Sequence, residues 1–238
     1  MLRNTVHTRE DMELWKSFLE KFFCNRENEI TEEEKNIASF VIGTWKKGVG
    51  ELDFETETEN ASEMSDEDYA DYLEKEVRNL GAYWDYLEEL MQGLFLFEDG
   101  KYIENVLPYM YEGVMLRGIN KSELIERNLK HHMYPLREDT WESWTSSTVG
   151  LMDIMISDSG YLLIVDNDIY DEPACFRFFE DEYMAIKLDE LINNLCDKNL
   201  IDESCRRFAN EHEVLYKLAP DHASNLIVTE VRYNTVDD

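Results

Sequence analysis

The sequence predicts an α+β protein: a mainly helical N-terminal part over residues 1–135, carrying an acidic segment at 48–112, then an α+β region over 136–238. In the second region a small antiparallel sheet packs with helices. Three observations predict this. Large apolar residues recur at helical spacing through the first hundred positions, β-rich runs flank a turn cluster after Pro135, and only 10 Gly and 4 Pro interrupt 238 residues. At this length the two parts make two small domains or one continuous domain.

The first 47 residues read as two amphipathic helices. Trp15, Phe18, Leu19, Phe22 and Phe23 share one face of a helix over about 9–25. Thr31 and Glu34 have the spacing of a capping box, in which a hydroxyl and a carboxylate reciprocally satisfy two helix-start amides, ahead of Ile37, Ala38, Val41 and Trp45. Gly43, Gly48 and Gly50 mark the end of that second helix. Ser65 and Asp68 offer another capping box, opening a helix to about Asn79. After Gly81 the pattern restarts with Trp84, Leu87, Leu90, Met91 and Leu94, and it stops near Glu98-Asp99-Gly100. Helical character returns at 101–117 and at 121–133.

Beyond Pro135, Leu151–Ile156 and Tyr161–Val165 flank Ser157-Asp158-Ser159-Gly160, the pattern of a β-hairpin. A further strand is expected over Ala174–Phe179, helices near 184–196 and 202–217, and a closing strand over Asn225–Tyr233.

Charge is the feature furthest from the ordinary. The chain has 53 Asp and Glu against 23 Lys and Arg, a formal net charge of -30. Such a charge repels nucleic acid and anionic membranes and attracts basic proteins. It does not imply disorder, because hydrophobic residues make up 43% and aromatics 12%, enough to offset the entropy of ordering. The charge is unevenly placed: residues 1–47 carry net -1, residues 48–112 net -16, residues 113–150 net 0 and residues 151–238 net -13. Thirty charges correspond to about 50 Å of duplex DNA, close to the roughly 45 Å breadth of a globule of this length.

Within the first acidic block, Glu51, Asp53, Glu55, Glu57 and Glu59 alternate with Leu52, Phe54, Thr56 and Thr58. In an extended chain this ladder presents a carboxylate every ~6.7 Å on one side, about half the density of phosphates along one DNA strand, one per ~3.4 Å. Asp66, Asp68 and Asp71 follow, and no Lys or Arg occurs from Gly48 to Glu74. Tyr69, Tyr72, Tyr83, Trp84 and Tyr86 are interleaved with these acids and with Asp85 and Glu88. Helical spacing directs Tyr69, Tyr72 and Trp84 to the core. An acidic run between helices is also the pattern of a solvated connection.

Motifs for catalysis are absent: there is no nucleophile elbow, phosphate loop, dinucleotide fingerprint or HExxH zinc motif. Carboxylate pairs carry no signal among 53 acids. Asp166, Asp168 and Asp171 lie in the best cation-loop candidate, 166–172, but Asp171 and Arg177 stand where a calcium loop needs Gly and Glu. Cys196, Cys205, His212 and His222 are spaced more loosely than zinc ligands usually are, and His131-His132 point to different sides of a helix. The four cysteines, with Cys24 and Cys175, read as reduced thiols. The N-terminus lacks the apolar core of a signal peptide, so the expectation is a soluble, cytoplasmic protein.

These features lead to an expectation of a non-enzymatic acidic binding protein, without cofactor. Its partner would be a basic, nucleic-acid-binding protein such as a nuclease, toxin or defence effector, with no direct contact to nucleic acid or membrane. Glu51, Asp53, Glu55, Glu57, Glu59, Asp66, Asp68, Asp71, Tyr83, Asp85 and Tyr86 are the expected contact residues, with carboxylates standing in for phosphates and aromatics supplying anchors. The alternative is a soluble acidic enzyme or regulatory domain with a divalent-metal site at 166–172.

Overall fold

A computed structural model describes residues 8–49, 80–96, 100–120, 141–147, 160–166, 185–217 and 226–231. The fold is α+β, and the chain divides into two compact units. The first comprises Met1–Pro108 and Ile192–Phe208; the second comprises Tyr109–Leu191 and Ala209–Asp238.

In the first unit, α1 (Arg9–Phe23) starts at a capping box: Thr8 Oγ1 accepts from Asp11 N at 3.1 Å and Asp11 Oδ2 accepts from Thr8 N at 3.2 Å. Its apolar face, Trp15, Phe18, Leu19, Phe22 and Phe23, is buried as the spacing predicts. The helix closes in a Schellman turn, with Arg26 N donating to Lys21 O and Asn25 N to Phe22 O, and Asn25 takes the left-handed conformation at φ 57. α2 (Glu32–Val49) opens on the expected capping box, Glu34 Oε2 accepting from Thr31 N at 2.7 Å and Thr31 Oγ1 accepting from Glu34 N at 3.3 Å. It runs through Gly43 and Gly48, which therefore do not end it, and Gly50 lies outside the described residues.

α3 (Gly81–Leu96) buries Tyr83, Trp84, Leu87, Met91 and Leu94. Trp84 meets Trp15 and Trp45 edge to face, with ring centroids 5.8 and 5.6 Å apart, so three tryptophans from three helices form the centre of this core. Lys21 Nζ bonds both oxygens of Glu34, at 2.7 and 2.9 Å, joining α1 to the start of α2. The short helix α4 (Ile103–Val106) places Asn105, whose amide donates to Phe23 O at the end of α1 at 2.6 Å.

α5 (Leu188–Asp197) begins in the second unit, and from Ile192 onward it belongs to the first. It too ends in a Schellman turn, Leu200 N donating to Leu195 O and Asn199 N to Cys196 O, with Asn199 at φ 55. Ser39 Oγ of α2 then accepts from Asp202 N at 2.8 Å, and Lys198 pairs with Glu27 at 2.6 Å.

Among the described residues the second unit has six strands: β1 (Val114–Asn120), β2 (Trp141–Thr145), β3 (Gly160–Asp166), β4 (Ala185–Lys187), β5 (Glu213–Lys217) and β6 (Leu226–Val231). They form one antiparallel sheet in the order β4-β5-β2-β1-β3-β6. Met115 and Ile119 of β1, Trp144 of β2, Leu163 and Val165 of β3, Ala185 of β4, and Val214 and Tyr216 of β5 make one apolar cluster. Period-two alternation puts two charged residues on this face, Arg117 between Met115 and Ile119, and Glu142 two positions from Trp144. Arg117 Nη1 donates to Ser143 O at 2.5 Å, and its Nε lies 4.0 Å from Glu142 Oε1.

The structure corrects three expectations of local structure. Helix over 101–117 stops at a 3₁₀ turn, Leu107–Tyr109, and Val114–Asn120 is a strand. Tyr111 N donates to Ala185 O at 2.9 Å, drawing the chain to β4. Gly113 then takes φ 128, outside the helical range. Helix over 202–217 is instead a 3₁₀ stretch, Glu203–Glu211, followed by β5, because His212 at φ 49 ends the helical run. β2 has no counterpart among the expected strands. Strands at 161–165 and 225–233 are found as β3 and β6. Both edges of β3 are taken, by β1 and β6, while 151–156 lies outside the described residues, as do the expected elements at 65–79, 121–133 and 174–179.

Candidate functional site

The described part of the expected contact surface, Tyr83, Asp85 and Tyr86, lies on α3, which packs against α1. Helical periodicity turns Tyr83, Trp84, Leu87 and Met91 of α3 inward, and leaves Asp85 and Glu89 exposed with Tyr86 half-buried at their side. On α1 the same rule turns Glu13 and Glu20 outward, with Lys16 between them. The Tyr86 hydroxyl donates to Glu20 Oε1 at 2.8 Å, and Lys16 Nζ sits 4.7 Å from the centre of the Tyr86 ring. Burial pushes the Tyr86 phenol far above its ordinary value, and the bond to Glu20 and the charges of Glu20, Glu89 and Glu13 push the same way. Tyr86 therefore stays a neutral donor in a surrounding of carboxylates.

Tyr83 is corrected from contact residue to core residue. It is 2% exposed, its backbone carbonyl accepts from Trp15 Nε1 at 2.9 Å, and its ring meets Trp15 edge to face. Three residues separate it from Tyr86, nearly one helical turn, but α3 packs its Tyr83 side against α1. Glu51, Asp53, Glu55, Glu57, Glu59, Asp66, Asp68 and Asp71 lie outside the described residues.

Neither family models, nor curated protein sequences, nor solved structures yield a match to this chain.

Sequence reasoning did not place Glu13, Lys16 and Glu20 in the site. Their signal was the polar side of α1, at spacings of three and four residues, but only the packing of α1 on α3 brings them to Tyr86. Among the described residues no group of three or more His, Cys, Asp or Glu side chains is arranged to hold a metal ion. Asp166 ends β3, paired with Val114 of β1; Asp168 and Asp171 lie outside the described residues. The Cys196 thiol lies 3.9 Å from Asp202 O and the Cys205 thiol 3.9 Å from Ser39 O, so both are weak internal donors within the first unit. His212 lies beside Asp189, and His222 is outside the described residues. Among the described residues no helix is long and apolar enough to cross a membrane.

Proposed function

We propose that this protein is a non-enzymatic acidic binder that neutralises a basic, nucleic-acid-binding effector, such as a nuclease, toxin or defence protein, by offering carboxylates where the effector expects phosphates. The observation that carries this reading is the segregation of charge. Residues 48–112 and 151–238 hold net -16 and -13, while the remainder of the chain is close to neutral. Solubility alone asks for no such segregation. Long-range attraction of a concentrated negative surface to a positive groove raises association rates and falls with salt.

The α1–α3 surface supports the reading locally. Glu13, Glu20, Asp85 and Glu89 accompany a single aromatic, Tyr86, whose hydroxyl and ring are held by Glu20 and Lys16. Aromatics ordered in advance bind at lower entropic cost. On this reading the alternating carboxylates Glu51–Glu59 and Asp66, Asp68 and Asp71, which lie outside the described residues, also contact the effector.

The test is capture of partners from the source cell at low salt, followed by measured affinities for the captured protein over a series of salt concentrations. We expect affinity to fall steeply with salt. Reversing Glu55, Glu57, Asp66 and Asp68 to Lys should weaken it at least about tenfold, and reversing Glu13, Asp85 and Glu89 should act likewise if the partner spans α1 and α3. Affinity indifferent to salt and to both sets of reversals would overturn the proposal.

A further inference from the structure

Lys16 is held differently from Lys21, Lys35 and Lys198 of the same unit. Lys21 Nζ bonds both oxygens of Glu34, Lys35 pairs with Glu32 at 2.8 Å, and Lys198 pairs with Glu27 at 2.6 Å. Lys16 has Glu13 three residues before it and Glu20 four residues after it on α1, spacings at which ion pairs form along a helix. Among the described residues it nevertheless makes no ion pair. Its ammonium lies instead over the ring of Tyr86 on α3, 4.7 Å from the centre.

That contact shows what the face of Tyr86 accepts. The Tyr86 hydroxyl donates to Glu20 Oε1 at 2.8 Å, a bond that holds the ring independently of Lys16. Glu20, Glu89 and Glu13 are exposed and lie near enough for their charges to act on Tyr86. A held ring with a cation on its face and carboxylates around it suits a guanidinium better than an ammonium. The guanidinium is planar and more weakly hydrated, so it lies flat on the ring while its N–H groups still reach carboxylates at the rim. Lys16 carries a compact, strongly hydrated charge on a flexible four-carbon stem, so it leaves the ring at small cost.

We infer that the face of Tyr86 receives an arginine side chain of the partner, and that Lys16 is the resident cation which this arginine displaces. The inference rests on the reading of the chain as an acidic binder and names the group that its α1–α3 surface takes. Glu20 keeps its bond to the Tyr86 hydroxyl, Glu13 and Glu89 accept from the guanidinium, and Lys16 turns to solvent. The ring supplies the preference for arginine; the acids supply attraction to any cation.

A short blocked peptide of alternating arginine and glycine, and its lysine counterpart, titrated into the full chain at low salt, test this with the NMR signals of the Tyr86 ring as the readout. The arginine peptide should shift those signals and bind about two- to fivefold more tightly than the lysine peptide, the scale of one exposed cation–ring contact. Lys16→Met should tighten the arginine peptide by about the same factor. Arg9→Met, which removes the same charge from α1 about two turns away, should change it less. Tyr86→Leu should abolish the preference for arginine; if that variant does not fold, the wild-type ring signals and the Lys16 comparison decide without it. Equal affinity for the two peptides, unmoved Tyr86 signals, or a Lys16→Met effect no larger than that of Arg9→Met overturns the inference. Each of those results leaves salt-dependent binding of a captured effector standing, so the two failures are distinguishable.

Discussion

Trp15 Nε1 donates a hydrogen bond of 2.9 Å to the backbone carbonyl of Tyr83, a residue 68 positions further along, with both side chains buried. The bond sets the height of α1 against the first turn of α3, and so brings Glu20 level with Tyr86 on the outer surface. Core packing and the candidate site are coupled through it.

Trp15→Ala should therefore cost about 3–5 kcal/mol, the range for deleting a large buried aromatic. Trp15→Phe keeps most of the packing but no donor, and should cost at least about 1 kcal/mol. Urea denaturation followed by far-ultraviolet circular dichroism measures both. A Trp15→Phe variant as stable as the wild type would show that the bond to Tyr83 contributes nothing.

Glu34 makes stability depend on acid. Burial alone would raise its carboxyl, but bonds from Lys21, Ser17 and Thr31 outweigh burial and hold it below the ordinary glutamate value of 4.5. A carboxylate lowered on folding adds stability that is present above that ordinary value and lost as pH falls through the folded one. Glu34→Gln should accordingly destabilise the protein near neutrality by about 1.5–3 kcal/mol, the scale of a hydrogen bond to a charged group. Denaturation midpoints of the two proteins should converge at pH values well below 4.5.

Arg117 and Glu142 share the apolar face of the sheet, with Glu142 only 6% exposed. Removing one charge leaves the other buried with less compensation, whereas removing both removes the desolvation cost as well. Arg117→Met and Glu142→Leu should each destabilise by about 3–5 kcal/mol, and the double variant by much less than their sum. Additive losses in a double-mutant cycle would mean that the two residues act independently.

The helices were legible where a strong local signal agreed with packing. Thr31 and Glu34 announce a cap, and the apolar spacing from Trp15 to Phe23 identifies the buried face. The helix ends were less so. Asn25 and Asn199 are the left-handed residues of two Schellman turns, yet asparagine is common in many other contexts. β1 and β2 were hidden for a different reason. Val114–Asn120 and Trp141–Thr145 alternate apolar residues with Arg117 and Glu142 on the inner face, so a charged residue stands where alternation should show an apolar one. Tyr86 and Asp85 were legible as candidates because they lie within the acidic block. Glu13, Lys16 and Glu20 come from a near-neutral segment and reach Tyr86 only through the tertiary contact of two helices.

The passage of α5 from one unit into the other bears on how the chain can be made and cut. The helical unit takes Ile192–Phe208 from beyond four of the six strands, including the buried Leu195, Cys196, Leu200 and Cys205. A ribosome that has released Pro108 has therefore delivered an unfinished core. That core waits for nearly a hundred further residues before Asp202 can reach Ser39, so a fragment ending at Pro108 lacks part of the interior that the complete chain supplies.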